Sequence, residues 1–160
     1  MGKVVVKSRP TGGRADQPEE LELIDGQQRL TTVILVIDAV VDALENLPGE
    51  EAATLASNLR ERYIRSQGRD RLRLNADSRE FFKEVLEKEM PAIDPENRSQ
   101  QNLMDAATFF RQAVQTSLGE DGDSLDAFGA LVHKLTHCLR FVLYPVVHDA
   151  EAGLIFEVMN

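Results

Sequence analysis

Glu22-Leu23-Ile24-Asp25-Gly26-Gln27-Gln28-Arg29-Leu30-Thr31-Thr32, running directly into Val33-Ile34-Leu35-Val36-Ile37, changes its apolar period across a single glycine. Before it, Leu21 and Leu23 alternate with Glu20 and Glu22, the pattern of a strand with its leucines turned inward. Gly26 permits a sharp turn, and from Leu30 the period is that of a helix. Strand, tight polar turn and buried helix make an arrangement that presents a ligand site.

Two readings of the turn stand side by side. In the first, Asp25 and Gln28 form a capping box: the carboxylate accepts from a free backbone N–H and the amide reaches back. That leaves Gln27 and Arg29, whose donors add to a helix end that already favours anions. In the second, the turn is a phosphate or nucleotide site, with Gly26 letting the ligand approach the backbone and Arg29 gripping phosphate oxygens in a fork. Asp25 fits that site by holding a divalent cation such as magnesium, or by orienting a water. Thr31 and Thr32 are either hydroxyl contacts to the ligand or ordinary first-turn positions.

Leu23 to Thr32 resembles the signature of the N-terminal domain of GmrSD-type restriction endonucleases, a ParB/sulfiredoxin-like domain. Arg71-Leu72-Arg73-Leu74, Asp77 and Phe81-Phe82 are similar to that family's middle segment. Val146-Val147-His148-Asp149, Ala152 and Ile155-Phe156-Glu157-Val158-Met159-Asn160 are similar to the approach to its Asn-x-Arg-Gly motif. The resemblance implies nucleotide binding and NTP hydrolysis at Asp25, Gly26, Gln27, Gln28 and Arg29. It brings Asn160 near Asp25, and Glu157 or Asn160 is expected to complete the site in the intact protein. It also implies that DNA cleavage belongs to a separate HNH-type nuclease domain, so that DNA is reached through the intact protein or a partner. The chain starts at Met1-Gly2, just before its first strand, and stops at Asn160 where the family continues, so a truncated domain is expected.

With 160 residues, the chain suits one domain. Its 27 acidic against 18 basic residues give a formal charge of −9, which opposes non-specific DNA binding and confines any DNA contact to a local patch. A single cysteine, Cys138, allows no internal disulfide. The start is too short for a secretory leader. The longest apolar run, Val33 to Val41, is broken by Asp38 and falls short of the roughly 20 residues a membrane helix needs. A cytoplasmic protein is expected; nothing in the sequence sets its oligomeric state.

Along the rest of the chain, residues 2–7 read as a strand, and the loop from Ser8 to Pro18 as a solvated insertion or a flap over a ligand. Helices are expected over 30–47, 50–66, 77–89, 99–118 and 124–138, and strands over 70–74 and 140–147, the latter at an edge because of Pro145. The segment 151–160 looks helical. Arg60, Arg62, Arg65, Arg69, Arg71 and Arg73 are the one basic concentration, either a solvated face paired with surplus acids or a contact to nucleic acid through Arg69, Arg71 and Arg73. In a strand, Arg71 and Arg73 would share a side. The acidic loop Glu120 to Ser124 lacks the last ligand of a calcium loop, since Val132 stands at position twelve. His133 and His137 are one turn apart, but Lys134 replaces the metalloprotease Glu, and a metal would need a third ligand such as His148.

The expected architecture is α+β and helix-dominated: a small sheet from 2–7, 20–25, 70–74 and 140–147 on about five helices. Residues 1–49 form the strand–loop–strand–helix part and 50–160 a mainly helical remainder. Two functions compete. One is a nucleotide-binding, NTP-hydrolysing regulatory domain of a modification-dependent restriction or phage-defence system. The other is a non-catalytic DNA- or partner-binding module whose motif only caps a helix. Direct nuclease action at Asp25 needs converging carboxylates that the sequence does not supply.

Overall fold

A computed structural model describes residues 2–8, 20–87, 92–118 and 125–146. The chain is α+β and dominated by helix, and it divides into two compact units. The first comprises the chain up to Arg29 together with the part from Leu139 onward; the second is Leu30–Cys138.

The first unit holds a mixed sheet of β1 (Gly2–Ser8), β2 (Leu21–Asp25) and a last strand, Phe141–Val146, which is β5 in chain order. The order is β2-β1-β5. β1 and β2 are antiparallel, from Val5↔Asp25 to Ser8↔Leu21, with an irregularity between Val5 and Val6. The parallel register of β1 with β5 runs from Gly2↔Phe141 to Lys7↔Val146. Val4, Val5 and Val6 are all buried, so β1 is covered on both faces, as a central strand with consecutive β-branched residues should be. Pro145 lies on β5, an edge of this sheet, where the missing N–H is tolerated. Leu21 departs from the expected inward pattern and is 46 % exposed. It belongs to the last pair of the other edge strand, where few neighbours can cover it.

The second unit is helical. It takes most of α1 (Gln27–Glu45), then α2 (Glu50–Leu59), a π-helical turn Arg60–Ile64, β3 (Arg65–Ser66), β4 (Arg69–Asp70), α3 (Ala76–Glu87), α4 (Arg98–Leu118), α5 (Leu125–His133) and a second π-helical turn, Lys134–Cys138. Leu35, Val40, Val41, Leu44, Ala56, Phe81, Phe82, Val85 and Phe128 are among its buried core. The β-branched residues of α1 disfavour an isolated helix, and this burial offsets that preference.

The expected strand over 70–74 does not join the sheet. Only Arg69–Asp70 is extended, and it pairs with Arg65–Ser66 as a two-strand hairpin. Gln67 and Gly68, at φ 49° and 75°, turn the chain back, a backbone conformation typical of two-residue hairpin loops. The Arg71 N–H then donates to the Ile64 carbonyl at 2.8 Å, closing the corner before an extended strand can continue.

One guanidinium ties the helices together inside this unit. Arg111 of α4 donates from Nε to Asp42 Oδ2 (2.8 Å), and from Nη2 to Asp38 Oδ2 (3.0 Å) and the Val85 carbonyl (2.9 Å). Asp38 is 1 % exposed, and among the described residues its Oδ1 has no hydrogen-bond partner. Burial, and then the Asp42 charge, push the Asp38 carboxyl up to about 7, with Arg111 and Arg60 opposing them.

Candidate functional site

The β2–α1 turn is built around a glycine that the fold requires. Gly26 is buried at φ 96°, and a Cβ there would lie 3.0 Å from Val4 Cγ2 and 3.1 Å from the Lys3 carbonyl oxygen. A side chain at this position would meet both left-handed strain and the backbone of β1. The helix begins at Gln27, three residues ahead of the Leu30 that periodicity suggests, so Gly26 takes the cap position and Asp25 ends β2. Periodicity detects the apolar face and not the polar first turn, which explains the difference.

Arg29 folds back over this turn. Its Nη1 donates to the Lys3 carbonyl at 2.9 Å and to Asp25 Oδ2 at 3.2 Å. The two side chains are 52 % and 32 % exposed, so their ion pair is well solvated. Pairs of this kind are worth about 0.3–0.5 kcal/mol and exchange readily. Among the described residues Nε and Nη2 of Arg29 make no hydrogen bond.

The other expected site residues are distributed around this pair. Gln27 and Gln28 are exposed, and Gln28 is already engaged by a neighbour. Thr31 is 7 % exposed and packs as a helix position, while Thr32 is exposed and engaged. Asn160, Glu157, His148, and the loop from residue 9 to 19 lie outside the described residues. The Lys3 carbonyl is the participant that sequence reasoning missed; a main-chain acceptor on another strand leaves no signal in side-chain identity. Two grooves lie elsewhere, one along α2 at Glu50, Thr54 and Asn58, and one between α1 and α4 at Asp42, Asn46, Arg111 and Gln115.

No group of three His, Cys, Asp or Glu side chains able to hold a metal is present among the described residues. Asp25 therefore fits a divalent cation only in the way magnesium is commonly held, by one or two carboxylates with the remaining positions filled by phosphate oxygens and water.

The basic concentration separates into two kinds of arginine. Arg60 Nη2 donates to both oxygens of Glu45 at 3.0 Å. Arg65 donates to Asp70 and Glu87, each at 2.7 Å, and these hydrogen bonds, Asp70 first, hold it above its already high ordinary value. Arg62, Arg69, Arg71 and Arg73 are exposed. Arg62 lies over the Tyr63 ring, 5.4 Å from its centroid, and Arg73 is engaged elsewhere. Arg71 and Arg73 lie beyond β4, so strand alternation does not set their sides.

His133 and His137 are exposed and stacked, ring centroids 4.7 Å apart and planes at 14°. Thr136 Oγ1 donates to the Val132 carbonyl at 2.7 Å, which leaves it to accept from His137 Nδ1 at 2.7 Å. Among the described residues no third ligand accompanies them. No helix there is long and apolar enough to cross a membrane.

Compared with known families, residues 1–160 match the model described as GmrSD restriction endonuclease, N-terminal domain. No curated protein matches the chain.

Proposed function

We infer the function of this chain from the premise that it belongs to the GmrSD restriction endonuclease N-terminal domain family. Membership associates the chain with restriction systems. The finer reading is that the β2–α1 turn binds the phosphates of a nucleoside triphosphate and hydrolyses it. The domain would thereby regulate DNA cleavage, carried out elsewhere, in a modification-dependent restriction or phage-defence system.

The observation that carries this reading is the solvated Asp25–Arg29 pair at the mouth of α1. A guanidinium and a carboxylate joined by a weak, solvated contact, with the guanidinium also donating to the Lys3 carbonyl, match the two halves of a magnesium–phosphate unit. Arg29 turns its fork to phosphate oxygens, and Asp25 takes the cation side. The cation, when bound, would neutralise charge on the phosphates. Gly26 and the first N–H groups of α1 add backbone donors. Gln27 and Gln28 orient a water that attacks the terminal phosphorus, forming one P–O bond as the bond to the leaving diphosphate breaks; the water's proton passes to solvent. Thr31, Thr32 and Asn160 belong to the proposed nucleotide-binding set; of the two threonines Thr31 is the less available because it is buried.

A specific observation favours the second reading, a module without nucleotide chemistry. The Lys3 and Asp25 contacts of Arg29, with the close approach at Gly26, give Asp25, Gly26 and Arg29 structural duties with no ligand. The same experiment separates the two. Wild type and Arg29→Ala are titrated with fluorescent ATP and GTP analogues in magnesium, and phosphate release is followed. The nucleotide site predicts saturable binding that weakens roughly 10- to 100-fold in the variant, the range for a charge-assisted contact. No saturable binding to wild type would leave the module reading alone.

A further inference from the structure

We propose that His133 and His137 form a two-nitrogen clip for one late divalent transition-metal ion, of the nickel and copper class, with Thr136 orienting His137 and water filling the remaining positions. The clip uses none of the residues of the β2–α1 turn, and it depends neither on nucleotide binding there nor on magnesium.

Helix geometry is the first support. His133 ends α5, and His137 lies in the π-helical turn that continues it. Side chains four residues apart on a helix are neighbours on one face. Here both rings are exposed, and they stack with centroids 4.7 Å apart and planes at 14°. Two imidazole nitrogens on one ion, each at about 2.0–2.1 Å as in zinc sites, are at most about 4.2 Å apart, so a small rotation of two exposed rings brings this pair onto a single ion. Single π-helical turns are rare, and they occur frequently at functional sites.

The tautomer is the second support. Thr136 Oγ1 lies 2.7 Å from the Val132 carbonyl oxygen and 2.7 Å from His137 Nδ1. A hydroxyl has one proton and a carbonyl can only accept, so that proton goes to Val132 and the hydroxyl oxygen accepts from Nδ1–H. In the neutral ring the lone pair is then confined to Nε2. Metal-bound histidines carry this same feature: the second ring N–H is donated to a fixed acceptor, which orients the ring and raises its basicity as a ligand. A solvated histidine serving only as surface needs no such anchor.

The donor set selects the ion. Two imidazoles with water in the other positions suit the tetragonal nitrogen and oxygen geometry of Ni2+ and Cu2+. A structural zinc takes four protein ligands, whereas magnesium takes oxygen ligands. Binding only the folded pair, the ion would also stabilise the junction between α5 and its π-helical turn.

The full chain, free of any histidine tag, is titrated with Ni2+ by isothermal titration calorimetry at about pH 7.5, since imidazole must be neutral to bind a metal. Nickel is the probe because the exposed Cys138 thiol follows His137 and would react with copper(II). Wild type should bind one ion saturably. His133→Ala and His137→Ala should each weaken binding by more than about 100-fold, because even an outer partner of a metal ligand is worth about 10–100-fold. Thr136→Val should lose about 10- to 100-fold, and Thr136→Ser, which keeps the hydroxyl, should restore the wild-type affinity. Cys138→Ser should bind as wild type does. Far-ultraviolet circular dichroism checks that each variant keeps its helix content, so that a loss reports the site and not the fold. Absence of saturable binding by wild type, or binding that survives in the double variant His133→Ala, His137→Ala, overturns the proposal. An unchanged affinity in Thr136→Val does so too, as does a loss in Cys138→Ser equal to that in His133→Ala, which would move the ion to the thiol.

Discussion

Replacing Gly26 with alanine tests the geometry on which the β2–α1 turn rests. The new Cβ would stand 3.0 Å from Val4 Cγ2 and 3.1 Å from the Lys3 oxygen, and Val4 is itself 1 % exposed, inside the sheet. Neither neighbour is the free end of a flexible side chain, so the backbone of β1 or of the turn must shift. A φ of 96° adds left-handed strain of about 1–2 kcal/mol, and overpacking of this kind costs about 1–3 kcal/mol. The sum, about 2–5 kcal/mol, lowers the melting temperature of a chain this size by roughly 4–20 °C. Gly68→Ala is the internal control: its φ of 75° also opposes a side chain, but nothing lies within 4 Å of the added carbon. It should melt only a few degrees below wild type. Thermal unfolding followed by far-ultraviolet circular dichroism compares all three proteins. A Gly26→Ala protein melting no lower than Gly68→Ala would refute the claim that close approach to β1 demands this glycine.

Further outcomes follow from the Arg111 cluster. Because the Asp38 carboxyl is raised from 3.8 to about 7 in the folded state, the folded protein holds a proton that the unfolded chain releases across that window. The contribution of Asp38 is therefore fully present below about pH 4 and is lost as pH rises to about 7, by an amount on the order of 4 kcal/mol at most. Denaturant midpoints at pH 5 and pH 8 should show wild type losing more stability than Asp38→Asn over that interval; parallel losses would contradict it. Arg111→Met should destabilise by about 3–5 kcal/mol at pH 8, because Asp38 and Asp42 lose their shared guanidinium in a buried setting. The deficit should shrink at pH 5, where Asp38 carries a proton, and equal deficits at the two pH values would argue against the assignment.

Local pattern made much of this fold legible. Alternation at 21–25, the β-branched run at 4–6 and the apolar period after Leu30 mark β2, β1 and α1, although β2 has no fully buried face and its Leu21 is exposed. Pro145 marks an edge strand for a chemical reason that needs no partner to be known. What pattern could not supply was pairing. The parallel docking of β5 on β1 joins segments from opposite ends of the chain, and no periodicity encodes it. The stretch after Asp70 looks like a strand by alternation, yet the Gln67–Gly68 turn closes a short hairpin before it. At the site, the residue types were legible and their partners were not: Asp25 was readable as a cap, whereas its observed partner is Arg29, four residues on. Arg111 shows no pattern that would connect it with Asp38, a contact 73 residues away.

The Asp25–Arg29 pair also bears on which anion the proposed site would accept. Inorganic phosphate arriving alone competes with Asp25 for Arg29 and then leaves that carboxylate facing a like charge. A magnesium-bound nucleotide brings a cation for the carboxylate as well as oxygens for the guanidinium, so separating the pair leaves neither group without a partner. The pair itself resists by only about 0.3–0.5 kcal/mol, since both side chains are solvated, and the selectivity must come from what replaces it. It follows that binding to the wild type should require magnesium, whereas Asp25→Asn should bind metal-free nucleotide better than wild type does, because the like charge has gone. A wild type that binds nucleotide equally well in excess chelator would remove Asp25 from the cation side of the site, leaving it as the residue that holds Arg29 in place.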